Sequence, residues 1–268
     1  MNWINVIFLL IIIFLLMFLY TFIERYWIQI KHYKIKMRKK SFAGFKIVFL
    51  SDIHHSKIVT KRYIKNIVEK VNELKPDIII LGGDYVSSEL KYVGPVFDEL
   101  KRLNASKGVY GVLGNHDIYV SKDKVLTAMK NANIKPLDNQ SYWINHLNDH
   151  IKLGGVSDFL YDKPDISNTI SDVSSDDFVI LVSHNPDYIE EIKNYPIDLM
   201  LSGHTHGGQV TIFGMYAPYI PSNYHQKFRS GLKTINEIKL IITNGVGVVG
   251  LPIRFFARPQ IVMIELKN

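Results

Sequence analysis

Cysteine is absent from the 268 residues. Its absence excludes disulfides, thiolate nucleophiles and cysteine-ligated zinc or iron–sulfur centres together. The compartment stays open, because a cysteine-free chain is stable on either side of a membrane. Charge is absent from residues 1–23, which hold no Lys, Arg, Asp or Glu. That gap excludes an ordinary amphipathic surface helix. From Trp3 to Ile23 the run is apolar on every helical face. A helix of that length spans roughly 30 Å, the thickness of a bilayer core. A secretory signal would need a basic start and a small-residue cleavage site, and neither is visible. Residues 1–23 therefore read as a single-pass transmembrane anchor, with Trp3, Tyr20, Tyr26 and Trp27 placed as interfacial aromatics.

Beyond the anchor, positive charge is scarce. The formal net charge is +7, yet Arg25, Lys31, Lys34, Lys36, Arg38, Lys39 and Lys40 stand against Glu24 alone within residues 24–40. Residues 41–268 thus carry only about +1. The basicity is a juxtamembrane feature and not a nucleic-acid footprint, so no nucleic-acid partner is expected. By the positive-inside rule the body of the protein lies on the cytoplasmic side, the extracellular face being the alternative. Residues 24–44 also read as a β-strand whose lysines simply face water. Oligomeric state is not legible.

Residues 45–268 show no linker, repeat or low-complexity tract and read as one domain. Residues 45–50, 77–81 and 109–113 are apolar runs of strand length. Between them, residues 63–74, 96–103 and 122–133 carry apolar positions at helical spacing, as at Ile64, Ile67, Val68, Val71 and Leu74. This βαβαβα order predicts an α/β sheet with helices on its faces. Residues 142–146, 150–156, 178–184, 197–203, 209–213, 238–245 and 260–266 all read as strands. A strand-rich second half predicts a second sheet stacked on the first.

The chemistry gathers at strand ends, where open α/β sheets place their sites. Successive strands end in Asp52-Ile53-His54, Gly83-Asp84, Gly114-Asn115-His116-Asp117, His184-Asn185 and Gly203-His204-Thr205-His206. One such cluster is common by chance; five, each beside glycine or serine, are not. Imidazole with carboxylate suits manganese, iron or zinc. Asp52, His54, Asp84, Asn115, His184, His204 and His206 are too many ligands for one ion and suit two ions sharing a bridge. Paired divalent ions are a device of phosphoryl chemistry.

In order and spacing, these five blocks resemble the signature of the calcineurin-like metallophosphoesterases across residues 45–210. The string Gly203–Gln209, with Asn244–Gly247 and Pro252-Ile253-Arg254, is similar to the YkuE and YaeI type within that family. The resemblance implies a four-layer α/β/β/α sandwich of two stacked mixed sheets flanked by helices, here preceded by the transmembrane helix. It implies that Asp52, His54 and His206 hold one metal, that Asn115, His184 and His204 hold the other, and that Asp84 bridges them. His116 would approach the leaving-group oxygen or the phosphate, Asp117 would orient His116, and a hydroxide between the ions would attack phosphorus in line. Relatives in or near the subgroup cleave the pyrophosphate of UDP-diacylglucosamine. A phosphodiester or pyrophosphate bond in an amphiphilic lipid-linked or cell-envelope substrate is the leading expectation. A soluble nucleotide or phosphoprotein is the alternative, and a non-catalytic metal-binding scaffold a more distant one.

Several outlying residues are candidates for the substrate pocket: Arg254, His225, Arg229 and His55. Asp158 is a candidate for orienting a histidine. Gly207 and Gly208 are expected to clear room for phosphate. The apolar segment 247–259 is expected either to cap the core or to dip into the bilayer.

Overall fold

Runs of β-branched and aliphatic residues, each closed by glycine or a polar turn, make the inner strands of two sheets. The computed structural model describes residues 2–268. Helix α1 (Trp3–Glu24) precedes strand β1 (Gln29–Lys36), and the first sheet continues with β2 (Lys46–Leu50), β3 (Ile78–Leu81), β4 (Val109–Gly111) and β5 (Ile134–Pro136). Between these strands run α2 (Lys61–Glu73), α3 (Val93–Leu100) and α4 (Asn115–Asn131). The second sheet is built from β6 (Gln140–His146), β7 (Asp149–Gly155), β8 (Val179–Val182), β9 (Leu199–Ser202), β10 (Gly231–Ile235) and β11 (Ile238–Ile242). Strand β12 (Gln260–Lys267) returns to the first sheet.

Each sheet has six strands, ordered β1-β12-β2-β3-β4-β5 and β10-β11-β9-β8-β7-β6. Both are mixed. Strands β2 to β5 run parallel while β12 is antiparallel to β2. Strands β7, β8, β9 and β11 run parallel, with antiparallel β6 and β10 at the edges. Inner strands such as β3, β8 and β9 are buried on both faces, which explains their unbroken apolar runs. Phe49, Ile80, Val112, Leu153, Leu201 and Ile264 fill the space between the sheets. Ile64, Ile67, Val96 and Val125 pack α2, α3 and α4 on the first sheet. The outer face of the second sheet is covered by Ile189, Ile192, Tyr188 and Phe228.

The sandwich of two mixed sheets flanked by helices matches the expectation, but the fourth layer is thin. Its helices α5 (Ser167–Ile170) and α6 (Ile189–Ile192) are one turn each. Residues 209–213 are not a strand. Gln209 and Phe213 adopt positive φ, and only isolated bridges join Val210 to Phe255 and Ile212 to Tyr216. Strand β10 was not among the expected strands; its residues alternate between half-buried and exposed, as suits an edge strand. Helix α4 begins at Asn115, well before residue 122, with a break at Ser121.

Beside the fourth strand, Asp138 is buried and accepts the Leu113 amide through one oxygen, while its other oxygen has no partner. Burial pushes this carboxyl up to about 7. A raised acid stabilises the fold when protonated, so its contribution is complete below pH 3.8 and is lost as pH rises through 7. Asp138→Asn should therefore raise the melting temperature at pH 8 and leave it nearly unchanged at pH 4, by on the order of a few kcal/mol at the upper end. Equal shifts at both pH values in thermal denaturation would refute this.

Candidate dinuclear metal centre

The polar blocks meet at one edge because their strands are parallel neighbours whose carboxyl ends point the same way. Asp52 and His54 follow β2, Asp84 follows β3, and Asn115 and His116 open α4 after β4. From the facing sheet, His184 follows β8, while His204 and His206 follow β9. The backbone turns sharply at these ends. Asp52, His54, Asp84, His204 and His206 all sit at φ between 51° and 68°. A left-handed residue with a side chain costs roughly 1–2 kcal/mol, and such strain persists where a site demands it. Close backbone approach is also needed: a Cβ on Gly83, at φ 92°, would lie 2.4 Å from the Gly114 amide.

Three overlapping clusters result, and Asp84 belongs to two of them, once with His54 and His116 and once with His184 and His204. Asp52, His54 and His206 bring ligand atoms within 4.8 Å of one another, as do Asp84, His184 and His204. Asp84 Oδ2 lies 3.3 Å from His54 Nε2 and 3.2 Å from His184 Nε2. His54 Nε2 and His206 Nε2 face each other at 3.0 Å. Asp52 Oδ2, Asn115 Oδ1 and His204 Nε2 are buried without a hydrogen-bond partner. So many unpartnered acceptors are costly in a folded chain unless a cation is meant to sit among them. The donor set thus fits divalent ions.

The electrostatics agree. Burial pulls His54 and His204 down to about 3 and holds His206 well below its usual range. Neutral imidazole is the ligating form. His184 differs: burial disfavours its charge, but the Asp84 and Asp52 carboxylates outweigh that and push it up to about 10. Without a cation this acidic pair holds a proton on His184, which metal binding would displace. His184 is fixed in turn by donating Nδ1–H to the Gly82 carbonyl at 2.6 Å.

His116 borders the opening of a cavity of about 930 Å³. Its Nδ1–H donates to the Ser87 carbonyl, which leaves Nε2 as the group available to a ligand. Asp117 does not orient it, contrary to expectation. The Asp117 carboxylate instead accepts backbone amides from Asp84, Tyr85, Val86 and Gly114, at 2.8, 2.9, 3.3 and 3.0 Å. It clamps the loop carrying Asp84 onto the first turn of α4. The cavity has an apolar wall of Leu160, Tyr161, Val210, Tyr219 and Leu251, and a polar wall that includes Asn185, Asp187 and Ser222.

The outlying candidates are mostly corrected. Arg254 is fully buried and donates to the carbonyls of Gly247, His206, Ala257 and Asn244, so it cannot reach substrate. It braces the backbone of His206. His55 turns away, donating Nδ1–H to the Val59 carbonyl at 2.7 Å and stacking on Tyr92. His225 is exposed and outside the cavity lining. Arg229 lines a different cavity. Asp158 accepts the Leu160 and Tyr161 amides and feels the His184 charge without a hydrogen bond to it. Gly207 makes room for Asn244, whose Oδ1 would lie 2.2 Å from an added Cβ, while Gly208 does line the cavity. Segment 247–259 packs against α1. Tyr20 meets Phe255 and Phe256, and Glu24 accepts the Phe256 and Ala257 amides at 2.7 Å each.

Two functional positions escaped the sequence reading. Asp187 ties the cavity rim together by accepting Ser222 Oγ–H at 2.5 Å and the Asn223 amide at 2.8 Å. The Asn185-Pro186-Asp187 turn, directly after a ligand histidine, was its signal. Glu24 is fully buried; a lone acid at the carboxyl end of an apolar helix was its signal, since the helix dipole disfavours it there.

Comparison with known proteins agrees with this geometry. The calcineurin-like phosphoesterase profile matches residues 45–208. YkuE of Bacillus subtilis strain 168, an uncharacterized metallophosphoesterase, is 32% identical over 92% of this chain and 88% of its own. The phosphodiesterase YaeI of Escherichia coli K12 is 33% identical over 90% of this chain and 88% of its own. A dimetal phosphatase from Danio rerio shares the fold, with a TM-score of 0.50 and 12% identity over 78% of this chain and 90% of that one. The chain belongs to the calcineurin-like phosphoesterase family and is a metal-dependent hydrolase of phosphoric esters.

Proposed function

We propose that the protein is a membrane-anchored, dinuclear-metal phosphoesterase that cleaves a phosphodiester or pyrophosphate bond of an amphiphilic substrate. The observation that carries the metal reading is the convergence of unpartnered buried acceptors around the shared Asp84 carboxylate. Asp52, His54 and His206 hold one ion, Asn115, His184 and His204 the other, and Asp84 both. Two divalent ions there supply a nucleophile at neutral pH and neutralise charge on the phosphoryl oxygens. His116 presents Nε2 to the departing oxygen, held in aim by the Ser87 carbonyl. Asp117 fixes the Asp84 loop, and Arg254 fixes the backbone of His206. Manganese, iron and zinc all suit these ligands.

The amphiphilic reading draws on the rim. Ile212, Phe213, Met215, Tyr216, Tyr219 and Leu251 are all more than half exposed, and Phe213 and Phe256 join this patch to Tyr20 of α1. Such a patch marks an interaction surface. Helix α1 is long and apolar enough to cross a membrane. The anchor and the cavity mouth would then share one plane at the bilayer surface. The basic residues after α1 favour a cytoplasmic active site. Lys31, Lys34 and Lys36 also protect an edge strand, which accounts for part of that charge.

Hydrolysis of bis-p-nitrophenyl phosphate with added Mn²⁺ tests the reaction. His116→Ala should lower kcat by ~10²–10⁴-fold with both metals retained. Activity that survives His116→Ala and Asp84→Ala together would overturn the assignment. Comparing a lipid-linked diphosphate with cyclic nucleotides separates the amphiphilic substrate from the soluble one. A C-terminal reporter active only outside the cell would reverse the orientation.

Metal should also stabilise the fold, because it binds ligands that only the native chain brings together. At free Mn²⁺ about a thousandfold above Kd, linkage contributes ~4 kcal/mol. That corresponds to a rise in Tm of roughly 8–16 °C for a domain of this size. The rise should vanish in chelator, and an unchanged Tm would refute metal binding at these ligands.

A further inference from the structure

A second cavity, of about 280 Å³, lies behind the loop of His204 and His206 and against the last turn of α1. Its walls bring Arg229 and Arg258 together with Tyr20, Gln29 and Ser230. Neither arginine borders the catalytic cavity. Each has one hydrogen bond to backbone: Arg229 Nη2–H to the Gly214 carbonyl at 2.8 Å, and Arg258 Nε–H to the Trp27 carbonyl at 2.9 Å. Among the described residues, neither has a carboxylate partner. Glu24, the acid in these walls, has both oxygens engaged by the Phe256 and Ala257 amides.

Two half-buried guanidinium groups with idle N–H donors share these walls with the single Glu24 carboxylate, and the positive excess calls for an anion. Phosphate suits them best, since the planar fork of arginine matches two of its oxygens. The depth of the cavity names the source. The Arg258 guanidinium lies 4.2 Å from the centre of the Trp27 ring, one turn past the apolar run, where interfacial aromatics meet lipid headgroups. The geometry points to a phosphate-binding site at this position, filled by the headgroup of an anionic phospholipid packed beside α1. The inference rests on α1 lying in a bilayer. Thr205 Oγ–H donates to the Arg229 carbonyl at 2.7 Å, so the lipid site and the ligand-bearing loop share a wall. The lipid would seat the catalytic mouth at a fixed height on the membrane.

Native mass spectrometry of the full-length protein in detergent tests this, with phosphatidylglycerol, phosphatidylcholine and inorganic phosphate as separate probes. Phosphatidylglycerol should be retained in preference to phosphatidylcholine. Arg229→Gln with Arg258→Gln should weaken that retention by about tenfold or more, while hydrolysis of bis-p-nitrophenyl phosphate in detergent continues and reports folding. Each single variant should weaken it less, and Arg258→Lys, which keeps charge without the fork, should fall between. Phosphatidylglycerol held equally by the wild type and every variant would overturn the site. Arginine-dependent binding of inorganic phosphate without lipid preference would keep the phosphate chemistry and overturn the lipid source. Alkaline extraction of membranes tests the anchor by itself, so a failure there is distinguishable from a failure of the arginine pair.

Discussion

Asp84→Ala should lower kcat/KM by at least roughly 10³-fold and leave the purified protein without its metals. The expectation follows from one oxygen with two neighbours: Asp84 Oδ2 lies between His54 Nε2 and His184 Nε2, so one substitution opens both ion sites. Metal ions contribute several kcal/mol to phosphoryl transfer, and each 1.36 kcal/mol is about a factor of ten. The carboxylate has a further task, since Oδ1 accepts the His116 amide at 2.9 Å. Asp84→Asn keeps that hydrogen bond but halves the charge available to the ions, so it should retain some metal and little activity. Elemental analysis with steady-state kinetics reads both quantities. Stoichiometric metal in the alanine variant would remove Asp84 from the bridging position.

Asp117→Ala should be the most destabilising substitution in the site, by on the order of 4–5 kcal/mol, the exceptional end for a single residue. Four backbone amides converge on this carboxylate, and alanine would leave them buried without acceptors, each at a cost of ~1–3 kcal/mol. Asparagine is no remedy. Its amide oxygen can serve two of the donors, but its NH₂ group must then face the other two. Denaturant titration should show both variants far less stable than the wild type. If Asp117 only oriented His116, kcat would fall with stability intact, and that outcome would refute the clamp.

These two residues mark the limit of what the sequence discloses. Asp84 was legible because a bridging carboxylate needs only its place at a strand end, and strand ends follow from apolar runs closed by glycine. The same logic found Asp52, His54, His184, His204 and His206. Asp117 was misread because its partners are backbone amides, three of them more than thirty residues upstream, and amides leave no trace in residue identity. Arg254 failed for a related reason: four of its acceptors are backbone carbonyls, and an arginine in a loop near the site reads as a group free to reach substrate. Residues 209–213 have the composition of a strand, but the positive φ at Gln209 and Phe213 breaks the ladder.

Strand β1 pairs in parallel with β12, and Gln29 meets Gln260 across 231 residues of intervening chain. On the ribosome this separation becomes time. Synthesis at roughly 5–20 residues per second delivers β1 many seconds before β12 exists. The strand next to the apolar helix α1 must therefore wait, with its exposed lysines discouraging premature partners. Strand β12 inserts between β1 and β2, so the sheet that carries Asp52 and Asp84 closes only once residue 267 has been made. A chain stalled before β12 would leave β1 unpaired and β2 exposed as an open edge.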